Sequence, residues 1–143
     1  MRHCARHFAL LLLVAFCALF APASFAVTDQ TPTDISVAGV VDATSAADAT
    51  GNTWTNTGYE YAEVINAAGA PITVTIDVYP SGGQGAPGGL TVTDPTVSVT
   101  NGTRKRIGPF PRAFYNDANN KVKLTFSSPT SVTVGVYRLT PAP

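Results

Sequence analysis

The chain has 143 residues, nine Lys or Arg against nine Asp or Glu, and 45% hydrophobic residues, so it carries no net charge to direct it to nucleic acid or to an acidic membrane surface. Its only cysteines, Cys4 and Cys17, and its only histidines, His3 and His7, stand at the very start. Everything after them lacks thiolates, imidazoles and the metal ligands they provide, which excludes disulfide scaffolds, Cys or His catalysis and the usual zinc and copper sites.

Arg2 and Arg6 precede an apolar run from Phe8 to Phe20, which closes on Ala21, Ala23, Ser24 and Ala26. A basic start, a short apolar stretch and small residues make a secretory signal peptide over residues 1–26. Its 13 apolar residues fall short of the roughly 20 that a membrane-spanning helix needs. Cleavage is expected after Ala26, with Ala23 as the alternative, and no cysteine stands there to take a lipid. The remaining residues, 27–143, suffice for one domain and are too few for two. The expectation is a protein secreted or held at the cell surface, off the membrane once the leader is gone; an uncleaved leader acting as an anchor is the other reading.

Residues 27–57 are rich in Thr, Ala, Asp and Ser, and contain one short apolar stretch, 35–41, that predicts a strand. From Tyr59 onward the hydrophobic period is two, and no helix-length run repeats every three to four residues. Strands are predicted over 59–66, 72–79 and 90–100, the last interrupted at Asp94-Pro95 because proline removes a ladder donor. Asn101-Gly102 predicts a hairpin turn between strands at 96–100 and 104–108, since both residues accept positive φ. Strands at 121–126 and 132–136 follow. The glycine-rich stretch 81–89 reads as a hairpin tip; a phosphate cradle would need a helix after it, and strand residues follow instead. Seven or eight short strands without a helix predict an all-β domain, a single antiparallel β-sandwich of jelly-roll or Ig-like kind, with a small closed barrel second.

Catalysis would fall to carboxylates, hydroxyls or lysine. Glu60 and Glu63 lie three positions apart on one predicted strand, so they point to opposite faces and form no acid/base pair by themselves. The acidic loops 42–48 and 116–120 match no calcium-loop pattern and suit turns better. Arg104 and Arg106 face one way and Lys105 the other, the mark of a solubilised edge strand rather than a nucleic-acid patch. Asn101-Gly102-Thr103 also spells an N-glycosylation sequon, although the hairpin turn accounts for it. Eight carboxylates precede residue 100 in residues 27–143, and seven cations with only Asp117 follow it. In a β-fold such halves interleave in space, the alternative being a polar subunit that stacks head to tail.

The stretch 107–117, Ile-Gly-Pro-Phe-Pro-Arg-Ala-Phe-Tyr-Asn-Asp, with the strands at 122–127 and 131–137 and upstream 48–58 and 71–76, resembles small bacteriophage virion proteins of the capsid-decoration kind. The resemblance covers most of the domain; its Gly-Pro-Phe-Pro and Tyr-Asn-Asp elements are fairly distinctive and its Val/Thr strands are not. It implies a compact β-sandwich that coats or stabilises a protein shell without catalysis, in a virion. A secretory leader departs from that family and points to an exported surface layer or filament. The expected function is therefore non-enzymatic and structural, without metal or cofactor, with protein as partner, a homo-oligomer or a complex with a shell or surface protein, and no nucleic acid.

The contact candidates fall in two places. Ile35, Val37 and Val41 belong to a segment able to complete a neighbour's sheet edge, or else to form the first strand of its own domain. Pro109, Phe110, Pro111, Phe114, Tyr115, Asn116 and Asp117 form either a contact surface or a plug in which Phe110 enters the core and Phe114 and Tyr115 cover one end. The alternative function is a carbohydrate- or surface-binding module, with Trp54, Tyr59, Tyr61 or Tyr79 as a stacking platform.

Overall fold

A computed structural model describes residues 26–79 and 92–139. The expected leader and the glycine-rich hairpin tip lie outside them. Ten strands are described: β1 (Thr28–Gln30), β2 (Thr33–Ile35), β3 (Thr44–Ala46), β4 (Asn52–Thr55), β5 (Glu60–Asn66), β6 (Ile72–Ile76), β7 (Thr96–Val99), β8 (Thr103–Ile107), β9 (Lys121–Phe126) and β10 (Val132–Leu139). A single helical turn, α1 (Arg112–Tyr115), stands between β8 and β9. The chain is all-β as expected, with more strands than seven or eight, because three-residue strands carry too little alternation to register as a period.

The first sheet runs in the order β1-β4-β9-β6-β7, and the second in the order β2-β10-β5-β8, with β3 also on β10. Both sheets are mixed, which corrects the purely antiparallel expectation: β1 lies parallel to β4 and β2 parallel to β10, while the other ladders are antiparallel. The longest ladder pairs β5 with β10, from Val132 opposite Asn66 to Arg138 opposite Glu60.

One apolar core lies between the sheets. Trp54, Ile72, Val74, Ile76, Val99, Val122 and Leu124 come from the first sheet, and Ala62, Val64, Ile107, Val132, Val134 and Val136 from the second. The alternation visible in the sequence therefore chose the buried face in β6, β9 and β10, each buried aliphatic side chain contributing about 1.5–3 kcal/mol. On the outer face of the second sheet, Tyr137 lies over Gly135, where an added Cβ would come within 2.9 Å of both the Tyr137 ring and the Ala43 carbonyl oxygen. Glycine there lets the ring lie flat, and the Tyr137 hydroxyl accepts the Ala43 N–H at 3.2 Å.

The Asn101-Gly102 turn forms, with the Thr103 N–H donated to Thr100 O at 3.2 Å and Gly102 at φ 71°. It closes no hairpin: β7 pairs with β6 in the first sheet and β8 with β5 in the second, so the turn carries the chain between layers. Likewise β9 and β10 belong to opposite sheets.

At the N-terminal end, β1 adds to the edge of the first sheet and β2, after Thr31-Pro32, to the second, so this segment completes edges of its own chain. The strand predicted over 35–41 stops at Ile35. A turn donates the Gly39 N–H to Ser36 O at 3.0 Å, with Gly39 at φ 89°, and Val37 and Val41 stand exposed beyond the ladder. The ion pairs Asp29–Lys121, Asp34–Arg138, Asp42–Arg104, Asp77–Lys123, Glu60–Arg138 and Glu63 with Arg104 and Arg106 each join an acid before residue 100 to a cation after it. The two charge halves interleave in space.

Candidate functional site

The loop between β8 and α1 turns inward. Gly108 sits at φ 126°, and a Cβ there would lie 3.0 Å from the Glu60 carbonyl oxygen and the Tyr61 Cα, so glycine alone permits the close approach. Phe110, 2% exposed, meets Trp54 edge-on at 5.4 Å between ring centroids and Tyr115 at 5.7 Å. Its carbonyl is satisfied from across the core: Asn56 Nδ2 donates to Phe110 O at 2.8 Å and to Asn116 Oδ1 at 2.6 Å, and Asn116 Nδ2 donates to Asn56 O at 3.2 Å.

The contact candidates at 109–117 accordingly separate. Phe110 and Asn116 are interior and offer no contact surface, because burying the ring required pairing the loop's backbone inside the core. Pro109, Pro111 and Phe114 are exposed, so Phe114, at 57%, covers no end of the core. Tyr115 is partly buried against the core. Asp117 acts as a turn former, its Oδ1 accepting the Asn119 and Lys121 N–H groups, each at 2.8 Å.

Glu60 and Glu63 point to opposite faces as expected, yet both are buried, which composition did not signal. The Glu60 carboxylate accepts the Thr57 N–H at 2.7 Å, the Thr57 hydroxyl at 2.8 Å, and the Gly58 and Tyr59 N–H groups at 3.1 and 3.2 Å. Glu63 accepts Arg104 Nη1 at 3.2 Å and Arg106 Nε at 2.9 Å. Burial of an unpaired carboxylate costs several kcal/mol, so these bonds hold both acids in structural duty. Asp48 is held below the usual carboxylate range by the Thr50 N–H, then by the Thr50 and Thr28 hydroxyls. Burial, and next the charge of Asp77, push the Tyr79 hydroxyl up to about 12. Among the described residues no group of three or more His, Cys, Asp or Glu gathers as a metal site, and no helix is long and apolar enough to cross a membrane.

A cleft of about 560 Å³ opens where the start of β5 and the ends of β8 and β10 come together. Tyr59, Tyr61, Pro109 and Leu139 line it, with Glu60 and Arg106 and the glycines 58 and 108. The Leu139 N–H donates to Tyr59 O at 3.2 Å and joins its two walls. Tyr59 and Leu139 are more than half exposed; Tyr61 is stacked on Tyr137 at 5.6 Å, with the Arg106 guanidinium 5.9 Å from its ring centroid. No family model, curated protein or solved structure matches this chain.

Of the four aromatics considered as a platform, Trp54 is fully buried in the core and Tyr79 half-buried, while Tyr59 and Tyr61 share the cleft. Leu139 and Arg106 carried no sequence signal for this role, since the cleft is assembled from strand ends far apart in the chain. The second exposed apolar feature is the 36–41 turn, with Val37 fully exposed, Val41 at 88% and Val40 at 37%. It leaves β2 beside the cleft, for Ile35 is registered opposite Leu139.

Proposed function

We propose that this chain is a non-enzymatic structural protein: an exported β-sandwich of jelly-roll or Ig-like kind that works by packing against further copies of itself or against a shell or surface protein. The observation that carries this reading is how the side chains are spent. The two buried carboxylates are consumed by structural bonds, whereas Val37, Val41, Tyr59, Phe114 and Leu139 stand exposed and apolar. Exposed apolar groups gathered in patches mark contact surfaces. The resemblance to capsid-decoration proteins supports the same reading and directs it to a capsid, a surface layer or a filament. Light scattering after size exclusion, with electron microscopy of the expressed full chain, tests it: concentration-dependent multimers or ordered assemblies are expected. A strict monomer at the highest soluble concentration that coats no shell or cell surface defeats it.

A second reading is a secreted binding module for carbohydrate or a cell surface, favoured by the presence of Tyr59 and Tyr61 in one cleft. Binding to a glycan array that Tyr59→Ala abolishes would support this reading.

A further inference from the structure

We infer that the Tyr59–Leu139 cleft receives the 36–41 turn of a second copy, in a two-fold dimer where each copy's valines fill the other's cleft. The inference rests on the assembly reading above and names its partner.

Three observations converge on it. The turn from Ser36 to Val41 contains no charged residue and presents Val37, Val40 and Val41 outward. The cleft that would take it is lined by Tyr59, Tyr61, Pro109 and Leu139, and its two charged members are already bound within the chain: Arg106 to Glu63, and Glu60 to the N–H groups of residues 57–59. An aliphatic insert therefore leaves no charge unpaired. At about 560 Å³ the cleft lies within the roughly 300–1,000 Å³ range of sites that enclose a compact apolar group.

Position supplies the symmetry. Ile35 is opposite Leu139, a residue of the cleft wall, and the turn follows Ile35 directly, so projection and recess start from neighbouring points of one ladder. The turn's own bonds, Gly39 N–H to Ser36 O at 3.0 Å and Ser36 hydroxyl to Gly39 O at 3.3 Å, brace it with Val37 in solvent. A patch that carries both halves of a contact closes on itself through a two-fold axis and makes a dimer rather than an open filament.

The test uses the full chain in sedimentation velocity and light scattering across a dilution series, with circular dichroism melts to verify folding. The wild type is expected to dimerise, and Val37→Lys and Tyr59→Asp, both at exposed positions, to weaken the dimer by about tenfold or more with unchanged melts. Mixing the two variants restores a heterodimer, because one contact then pairs opposite charges and the other is native. Multimers indifferent to both substitutions overturn this inference and leave the assembly reading intact. A monomeric wild type overturns this inference, and it overturns the assembly reading as well only where the monomer also coats no shell or cell surface. A heterodimer no stronger than either variant alone overturns the pairing of turn with cleft. Should Tyr59→Asp weaken the dimer only by unfolding the chain, Leu139→Asp replaces it in the same mixture and is judged by the same outcomes.

Discussion

The 108–116 loop and the 36–41 turn are both apolar connections at sheet ends, and they meet opposite fates. In the first, Phe110 sinks under Trp54 and Tyr115; in the second, Val37 stands in solvent. The difference lies in the backbone. A loop enters a core only if its polar groups find partners there, and Asn56, from the segment after β4, supplies them to the first loop by bonding the Phe110 carbonyl and the side chain of the loop's own Asn116. Among the described residues, the bonds of the turn at 36–41 run within it, between Ser36 and Gly39. Hydrophobicity alone does not bury a loop; buried hydrogen-bond partners decide whether its hydrophobicity is used.

The sharpest way to break this comparison is Phe110→Ala, which should lower unfolding free energy by about 3–5 kcal/mol in guanidinium titrations, as for other buried aromatics. A loss below 1 kcal/mol would show that the ring is not part of the core. Asn56→Ala leaves the Phe110 carbonyl and the Asn116 side chain short of a partner and should cost about 1–3 kcal/mol. Its effect should be non-additive with Asn116→Ala in a double-mutant cycle, because the two share their hydrogen bonds.

A smaller effect separates the regions by pH. Asp48 accepts the Thr28 hydroxyl at 2.7 Å and so ties β1 to the loop before β4, and its pKa in the folded state lies below the unfolded value of 3.8. The sign follows: its contribution is present above 3.8 and is lost as pH falls through the lower folded value. Carboxylate titration by NMR should find Asp48 ionised below its ordinary range, and Asp48→Asn should flatten that part of the acid slope. The Asn56–Phe110–Asn116 cluster contains no titrating group and should contribute nothing to it. Least of all, Val37→Asp should move folding stability by no more than about 0.5 kcal/mol, since the side chain touches no core residue; a larger destabilisation would mean that the turn packs within its own chain.

Much of this fold was legible locally. Ile72 to Ile76, Val122 to Phe126 and Val132 to Val136 alternate, and side-chain alternation is a property of the extended chain itself, so strand and buried face followed together. The same rule placed Glu60 and Glu63 on opposite faces and Arg104 with Arg106 on one. Of the candidate site, Tyr59 and Tyr61 were visible as aromatics and Val37 and Val41 as an apolar pair. The cleft that joins Tyr59 to Leu139 and Pro109 was not, nor was the burial of Glu63, which depends on Arg104 and Arg106 arriving on the neighbouring strand.

What the amino-acid order determined by itself was therefore the longer strands from β5 onward, the Asn101-Gly102 turn and the inward side of β6, β9 and β10, all of which depend on neighbours a few residues away. Only the tertiary structure decided which strands met. The Asn101-Gly102 turn forms as its residues dictate, yet it links two layers instead of two partners, and β1 and β2 lie parallel on separate sheets. Backbone ladders are chemically alike at every edge, so the choice among edges is left to the packing of side chains distant in sequence, which no local pattern encodes.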